Sequence, residues 1–361
     1  MSKIKVAIVG IGNCASSLIQ GIEYYRMVDE SSGFISGVIN NRLGNYLIRD
    51  IEIVAAFDVS EYKVGKDISE AIFSLPNCAW KFCDVPWKDV EVLRGPLFDG
   101  LDGKLKEIVP VDLNQEPVDV SEVLIKNRAE ILINYLPSGS KISTEFYAEQ
   151  AIRASCSFIN GIPEPIASTE KWRDRFANDG LALVGDDIKS QLGATALHRC
   201  LIDLFLKSGC RINNSYQLNF GNNSDFINLS DHSRAENKNV CKIAAIKNLI
   251  PYPANVIVNI KNDNSLDLNC KDAKRVSIHF DGEHFGSRPI SINVELYAED
   301  SPNGAGVMVD VIRAIKIASD RGDSGAINPI CSRYFKNPPI SCDDWTAIKN
   351  WDNYLGFGCD T

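Results

Sequence analysis

The sequence predicts an α/β chain, with a doubly wound parallel sheet first and a smaller α+β part after it. Three observations carry this. An unbroken apolar strand runs into a glycine turn and then a periodic helix within residues 3–25. Further strand–helix alternations continue to residue 207, and their strands are apolar throughout, as strands covered on both faces must be. Beyond that point strand-like runs follow one another with little helix between them, the pattern of an antiparallel α+β arrangement.

Composition bounds the function. A length of 361 residues suits two domains, and 45% hydrophobic with 24% charged residues is the globular average, so neither a disordered tail nor a fibrous protein is indicated. Lys and Arg number 38 against 47 Asp and Glu, a net charge of −9, which excludes a general basic footprint for nucleic acid or an anionic bilayer. An anionic small molecule would need a local cluster of cations. The eleven cysteines include no C-x-x-C pair, and their odd number fits reduced thiols better than a disulfide framework. The apolar run Val6 to Val9 is too short for a signal peptide, and no stretch reaches the roughly 18 apolar residues of a membrane span. A cytoplasmic location is therefore expected.

The elements follow in order. Lys3 to Gly10 reads as a buried strand, and Asn13 to Tyr25 as a helix with Ala15, Leu18, Ile19, Ile22 and Tyr25 on one face. Between them stands Gly10-Ile11-Gly12-Asn13-Cys14-Ala15, a G-x-G-x-x-A turn. The glycines let backbone approach a pyrophosphate, the small third residue lets helix pack on strand, and the helix N-terminus faces the anion. The same turn also occurs in α/β proteins that bind no nucleotide. Ile51 to Asp58 supplies the next strand, with Asp58 at its end to hydrogen-bond the adenosine ribose of NAD and repel the extra phosphate of NADP. Asp58 lies 43 residues beyond Ala15 where about 20 is usual, so Met27 to Arg49 reads as an insertion forming a surface loop or a lid.

Strands at Glu130 to Leu136, Cys156 to Gly161 and Leu181 to Val184 alternate with helices at Ile142 to Arg153 and Glu170 to Asn178. Their carboxyl ends carry Pro137-Ser138-Gly139-Ser140, Asn160-Gly161 and Gly185-Asp186-Asp187, the edge at which an open parallel sheet binds ligands. After a helix from Gln191 to Lys207 come strands at Ser215 to Phe220, Val256 to Ile260, Arg275 to Phe280 and Ile290 to Tyr297, with one helix near Val240 to Asn248. A long helix spans Asn303 to Asp320, and the chain after Arg321 reads as irregular and aromatic. No internal repeat or low-complexity linker separates these parts.

Candidate chemistry clusters in polar stretches. Asp186-Asp187-Ile188-Lys189-Ser190-Gln191 lies between a strand and a helix, where its side chains serve either a ligand or the helix cap. Lys238 and Lys242 share a helix face if the segment is helical, and two ammonium groups there repel unless an anion lies between them. Lys274 precedes a strand, and Lys336 stands among aromatic and proline residues. Desolvated lysines serve as acids or bases, but spacing alone does not separate such roles from a solvated surface. His198, His232, His279 and His284 have no metal-ligand spacing, and neither G-x-S-x-G nor H-E-x-x-H occurs.

Taken together, the motifs resemble the inositol-phosphate synthase family in its short archaeal and actinobacterial form. The resemblance runs over nearly the whole chain and rests on Val9 to Ser17, Ala55 to Val59, Gly185 to Gln191, Gly221 to Phe226 and Asp300 to Gly306. It implies a Rossmann-type NAD-binding domain over 1–200, an α+β catalytic and tetramerisation domain over 201–300, and a segment 301–361 that returns to the first domain with Lys336. The implied reaction converts glucose 6-phosphate to inositol phosphate, a step of inositol and phospholipid biosynthesis. It proceeds by C5 oxidation, enolisation at C6, aldol closure onto C1 and re-reduction by the same NAD. The implied site comprises Lys238 and Lys336 for C5 proton transfer, Lys242 and Lys274 for the C1 oxyanion, and Asp187, Asp225 and Asp300 to orient them. Gly10, Gly12, Asn13, Cys14, Ala15, Asp58, Pro137, Ser138, Gly139, Asp187, Lys189 and Ser190 would hold the cofactor or the phosphate. A divalent or monovalent cation near the cofactor phosphates and a homotetramer are also implied. Asn239-Val240-Cys241 and Gly304 match the family pattern more loosely. A paralogue closing another sugar phosphate, such as fructose 6-phosphate, to a five-membered ring, and a catalytically silent NAD-binding regulator, remain alternatives.

Overall fold

The computed structural model describes residues 3–28, 33–229, 242–262 and 272–356. Strand β1 (Ile4–Val9), apolar except for Lys5, passes through the turn at Gly10 into α1 (Asn13–Tyr24). A hairpin of β2 (Arg42–Leu43) and β3 (Tyr46–Leu47) precedes β4 (Ile51–Asp58). The chain continues through α2 (Ile68–Ala71), β5 (Val92–Arg94), α3 (Leu105–Ile108) and α4 (Val120–Lys126). Then come β6 (Ile131–Asn134), α5 (Lys141–Arg153), β7 (Ser157–Asn160), α6 (Glu170–Asn178) and β8 (Ala182–Val184).

Helix α7 (Ala194–Lys207) leads to β9 (Arg211–Gly221), α8 (Ser224–Asn228) and a helical stretch α9 at 242–247. After these stand β10 (Asn255–Asn262), β11 (Ala273–His284) and β12 (Arg288–Glu299). The last elements are α10 (Asp300–Asp320), β13 (Gly325–Ala326), α11 (Asn328–Tyr334) and α12 (Asp344–Leu355).

The first sheet has the order β13-β8-β7-β6-β1-β4-β5, and every pairing in it is parallel. From β1 the chain builds outward to β4 and β5, then returns to the other side for β6, β7 and β8. The order therefore reverses between β1 and β6, which opens a crevice at their carboxyl ends. One face is covered by residues of α1, α10, α11 and α12, and the other by residues of α4, α5 and α6. This is the Rossmann-type α/β fold that the sequence predicts.

The second sheet has the order β10-β9-β11-β12 and packs Val276, Ile278 and Phe280 against Ile202 and Phe205 of α7. Its expected antiparallel character needs correction: β10 pairs with β9 in parallel from Asn255 opposite Asn214 to Asn262 opposite Gly221. The connection over 222–254 is long enough to cross over, which a parallel pair requires. The chain after Arg321 is not irregular either. Gly325–Ala326 adds a strand to the first sheet, a proline in the first turn opens α11, and the Asp343 carboxylate accepts from Thr346 N–H to cap α12. Trp351 meets Tyr334 edge to face and stacks on Tyr354, which joins α12 to α11.

Of the predicted insertion, residues 33–39 are largely exposed, and the chain is fastened to the first domain at Asn40 and Asn41. Arg313 of α10, fully buried, donates to the Asn40 and Asn41 carbonyls and pairs with Asp310, which also accepts from Asn40 Nδ2.

Candidate active site

One large crevice runs along the carboxyl ends of β1, β4, β6, β7 and β8. Its floor is the glycine turn, where Gly10 has φ +87° and a Cβ would stand 2.5 Å from the Tyr135 carbonyl oxygen. Only glycine lets β1 and the exit of β6 approach so closely. A Cβ at Gly12 would instead meet nothing within 4 Å, so the backbone there borders open space. Gly12, Asn13 and Cys14 line that space at the start of α1, whose N-terminus carries no side-chain cap. Ala15 lies beneath, fully buried against the sheet. Uncapped N–H groups at an open helix N-terminus are what a pyrophosphate needs.

The far end of the crevice is built on Asp58. Its carboxylate accepts from the N–H groups of Ile11 at 2.8 Å, Val59 at 2.7 Å and Ser60 at 2.9 Å, which locks the turn to the end of β4. Beside it, Lys63 is 4% exposed, with Nζ 3.8 Å from Asp58 and donating to Asn77 Oδ1 at 3.0 Å. Burial pushes the Lys63 pKa down, and Asp58 opposes that shift. Neither Lys63 nor Asn77 is marked by any motif, because the residues that bring them here come from the loop after β4. Pro137 and Ser138 line the middle of the crevice, whereas the Gly139 N–H is already given to Glu164.

The next wall is the stretch after β8. Asp186 is fully buried and accepts from Asn160, Ile166, Ala167 and both N–H and hydroxyl of Ser168, so it knits the loop rather than facing the crevice. Burial still pushes its pKa up to about 6. Asp187 follows with φ +62° and lines the crevice. Its Oδ1 accepts from Lys336 Nζ at 2.8 Å, and its buried Oδ2 has no hydrogen-bond partner among the described residues. Ser190 lines the same wall.

Lys336 arrives from the connection between α11 and α12. Antiparallel backbone bonds hold it there: Lys336 N–H donates to Asp187 O at 2.8 Å, and Asn337 N–H to Asp186 O at 3.1 Å. The opposite wall comes from the second sheet, whose end nearest the crevice places Lys274 between Gly221 of β9 and Ala298 of β12. Lys274 Nζ donates to Asp300 Oδ1 at 2.8 Å. Behind this pair, buried Asp272 accepts from Asn223 and Ser301, and burial with nearby Asp300 pushes its pKa up to about 6.

Lys242, 4% exposed at the start of α9, and Asp225 of α8 complete the lining. Asn228 of α8 donates to the Ser138 carbonyl, which fastens that wall to the cofactor side.

The structure thus brings Gly10, Gly12, Asn13, Cys14, Asp58, Pro137, Ser138, Asp187, Ser190, Asp225, Lys242, Lys274, Asp300 and Lys336 to one cavity. Two expected site residues are turned elsewhere. Gly139 spends its N–H on Glu164, and the Lys189 ammonium points to the far side of its strand, toward Ser332 O and Asp344. Lys238 lies outside the described residues. Among the described residues no group of three or more His, Cys, Asp or Glu is placed to hold a metal ion, and no helix is long and apolar enough to cross a membrane.

Residues 193–301 match the family model for myo-inositol-1-phosphate synthase. The chain is 42% identical to an inositol-3-phosphate synthase of Corynebacterium glutamicum, over 98% of each chain. It is 42% identical, again over 98% of each chain, to an inositol-3-phosphate synthase of Mycolicibacterium smegmatis. Among solved structures it superposes with a TM-score of 0.82 on a myo-inositol-1-phosphate synthase-related protein from Thermotoga maritima, at 23% identity over 98% of each chain.

Proposed function

The chain belongs to the myo-inositol-1-phosphate synthase family, and we propose that it converts D-glucose 6-phosphate to 1L-myo-inositol 1-phosphate with NAD used and regenerated in each turnover. One observation carries this reading. Lysines from three separate elements, Lys242, Lys274 and Lys336, face a single crevice floored by a dinucleotide turn.

The crevice suits NAD on its own geometry. The open space at Gly12 leaves room for a pyrophosphate, the uncapped start of α1 offers it donors, and the Asp58 carboxylate and the Asp187 Oδ2, which has no partner among the described residues, offer acceptors to a dinucleotide. Bound there, NAD supplies a hydride acceptor for C5 oxidation and the donor for the final reduction, so the net reaction is an isomerisation. The residues around it have the proton work. Lys336, held on Asp187, takes the proton from the C5 hydroxyl with Lys238, and Asp187 keeps the ammonium form in place between transfers. The C5 ketone acidifies C6, and the proton that leaves C6 is returned to the C1 oxygen once the enolate carbon has closed onto C1. Lys242 and Lys274 stabilise the alkoxide forming at C1, and Asp300 and Asp225 orient them. Ser190 binds the phosphate. A divalent or monovalent cation beside the cofactor phosphates would take its ligands from those phosphates, backbone carbonyls and water, because among the described residues no group of three or more His, Cys, Asp or Glu is placed for it.

We place the enzyme in the cytoplasm and expect a homotetramer. Its contact surface would be the outer face of the second sheet, where Tyr216, Leu218 and Phe220 alternate with buried Ser215, Gln217 and Asn219.

Incubation of the purified protein with glucose 6-phosphate and NAD tests the reaction. Inositol phosphate by NMR with no net NADH is expected, and Lys274→Met should abolish it while NAD still binds. A folded, NAD-binding sample that makes no cyclitol from glucose 6-phosphate would overturn the reading, and turnover of fructose 6-phosphate instead would assign a paralogue.

A further inference from the structure

The ribbon that carries Lys336 is short. Residues 186–189 and 334–337 exchange four backbone hydrogen bonds: Asp186 N–H to Asn337 O at 3.2 Å, Asn337 N–H to Asp186 O at 3.1 Å, Lys336 N–H to Asp187 O at 2.8 Å and Lys189 N–H to Tyr334 O at 2.8 Å. Ile188 stands opposite Phe335 in the middle. Two strands of this length are marginal by themselves, so the register that sets Lys336 Nζ on Asp187 needs anchors at its flanks.

We propose that Lys189 is the anchor: a positioning residue that clamps both flanks of the Lys336 segment and so holds Lys336 on Asp187. The proposal rests on the reaction inferred above. The Lys189 ammonium donates to Ser332 O at 3.0 Å and Arg333 O at 3.3 Å, carbonyls of the last turn of α11, where a cation is favoured by the exposed acceptors and the helix dipole. It also reaches Asp344 Oδ1 at 3.4 Å, the first residue of α12. One side chain therefore ties the end of α11 to the start of α12, and Lys336 lies on the nine residues between, 335–343.

Arg199 of α7 completes the clamp. Its Nε donates to Asp344 Oδ2 at 2.7 Å and its Nη2 to Cys342 O at 2.7 Å, while Nη1 donates to Ala245 O. Lys189 is 9% exposed and meets three acceptors, so its ammonium is committed to this junction rather than to a phosphate in the crevice. Burial pushes its pKa down to about 8, with Asp344 opposing the shift, so the charge that makes the clamp depends on that carboxylate. Asp187 sits two residues before Lys189, a spacing that would put both side chains on one face of a regular strand, but the positive φ of +62° at Asp187 breaks the alternation, so Asp187 lines the crevice while Lys189 lies beside Asp344. The two residues thus act on opposite sides of one ribbon.

The test uses Lys189→Met, Asp344→Asn and Lys189→Arg in the full chain. Measurements are kcat and KM for glucose 6-phosphate, the NAD Kd, the thermal midpoint, and amide hydrogen exchange over 334–337. A small displacement of Lys336 should lower kcat on the order of 10- to 100-fold in Lys189→Met at a temperature where the variant is fully folded, with the NAD Kd within about twofold of wild type. Exchange at Lys336 and Asn337 should quicken, Asp344→Asn should reproduce the pattern more weakly, and Lys189→Arg should restore most of kcat. A raised NAD Kd or KM at unchanged kcat would overturn the proposal in favour of a ligand-binding lysine. A lowered midpoint with kcat and exchange unchanged would overturn it in favour of a structural lysine. Should Lys189→Met not fold, Asp344→Asn carries the same readouts. If wild type itself makes no cyclitol, the reaction reading fails, and the exchange rates of 334–337 still decide whether Lys189 sets the ribbon.

Discussion

At the glycine turn two residues of one motif do different work, and substitution separates them. Alanine at Gly10 must adopt φ +87° and would press its Cβ against the Tyr135 carbonyl, which cannot retreat without opening the β1–β6 pairing. A loss of about 2 kcal/mol or more in stability is expected, together with loss of NAD binding. Alanine at Gly12 meets no protein atom within 4 Å. Its thermal midpoint should therefore match wild type while its NAD affinity falls at least about tenfold, since the methyl group fills space that the pyrophosphate needs. A Gly12→Ala protein that bound NAD normally would show that the turn is not the pyrophosphate site. The motif assigns the tight turn to the first glycine and the approach to a pyrophosphate to the second, but the Tyr135 carbonyl that makes Gly10 obligatory comes from far along the chain and was not legible in it. Asp58, by contrast, could be found because the fingerprint predicts an acid at the end of the second long strand. Lys63, which lies next to it in space, follows no spacing rule: it reaches Asp58 through a loop whose path depends on the cap at Asp67 and the bonds from Asn77 to Ile11 O and Ile72 O.

Helix α10 leads from the second sheet back to the first. It begins at Asp300 beside Lys274 and runs 21 residues to pack on α1, so a disturbance in its middle reaches both the site and the first core. In that middle Asp310 and Arg313 are both fully buried and bonded to one another. Replacing Arg313 by methionine leaves the Asp310 carboxylate buried with, among the described residues, the donors Asn40 and Tyr334. The expected cost is about 3–5 kcal/mol, whereas Asp310→Leu with Arg313→Met should be milder because no uncompensated charge remains. Urea unfolding of the single and double variants reads this directly, and a double variant less stable than the single would contradict it.

The helix itself was legible from its periodic apolar face. Its partner was not, because Asn40 and Asn41 lie some 270 positions earlier, in a Gly- and Ser-containing stretch that reads as an insertion. Helix α12 escaped for a similar reason: its Trp351 packs on Tyr334 of α11, and the caps at Asp343 and Gly356 mark its ends locally.

Across the whole molecule, stability against acid depends on buried groups with opposing behaviour. His198 of α7 is fully buried, bonded through Nδ1 to Gln217 Oε1 at 2.9 Å and through Nε2 to Ser215 Oγ at 2.5 Å, and it thereby ties the long helix to the centre of the second sheet. Burial pushes its pKa down to about 4 from 6.5. Below pH 6.5 the unfolded chain takes up a proton that the folded protein refuses until about pH 4. The histidine's contribution is therefore complete above pH 6.5 and is lost as pH falls, at about 1.4 kcal/mol per pH unit. Asp186 and Asp272 act in the reverse sense. With pKa values raised to about 6 they bind protons in the folded state before the unfolded chain does, so stability rises as pH falls from 6 toward 3.8. The wild-type curve alone mixes the two. Urea midpoints of wild type and His198→Gln, measured from pH 7.5 to 4, isolate the histidine: the variant should gain on wild type by about 3 kcal/mol across the window, with almost all of the change below pH 6.5. A difference that stayed flat with pH would mean that His198 takes up its proton in the folded protein, and the neutral bridge between α7 and the second sheet would have to be abandoned.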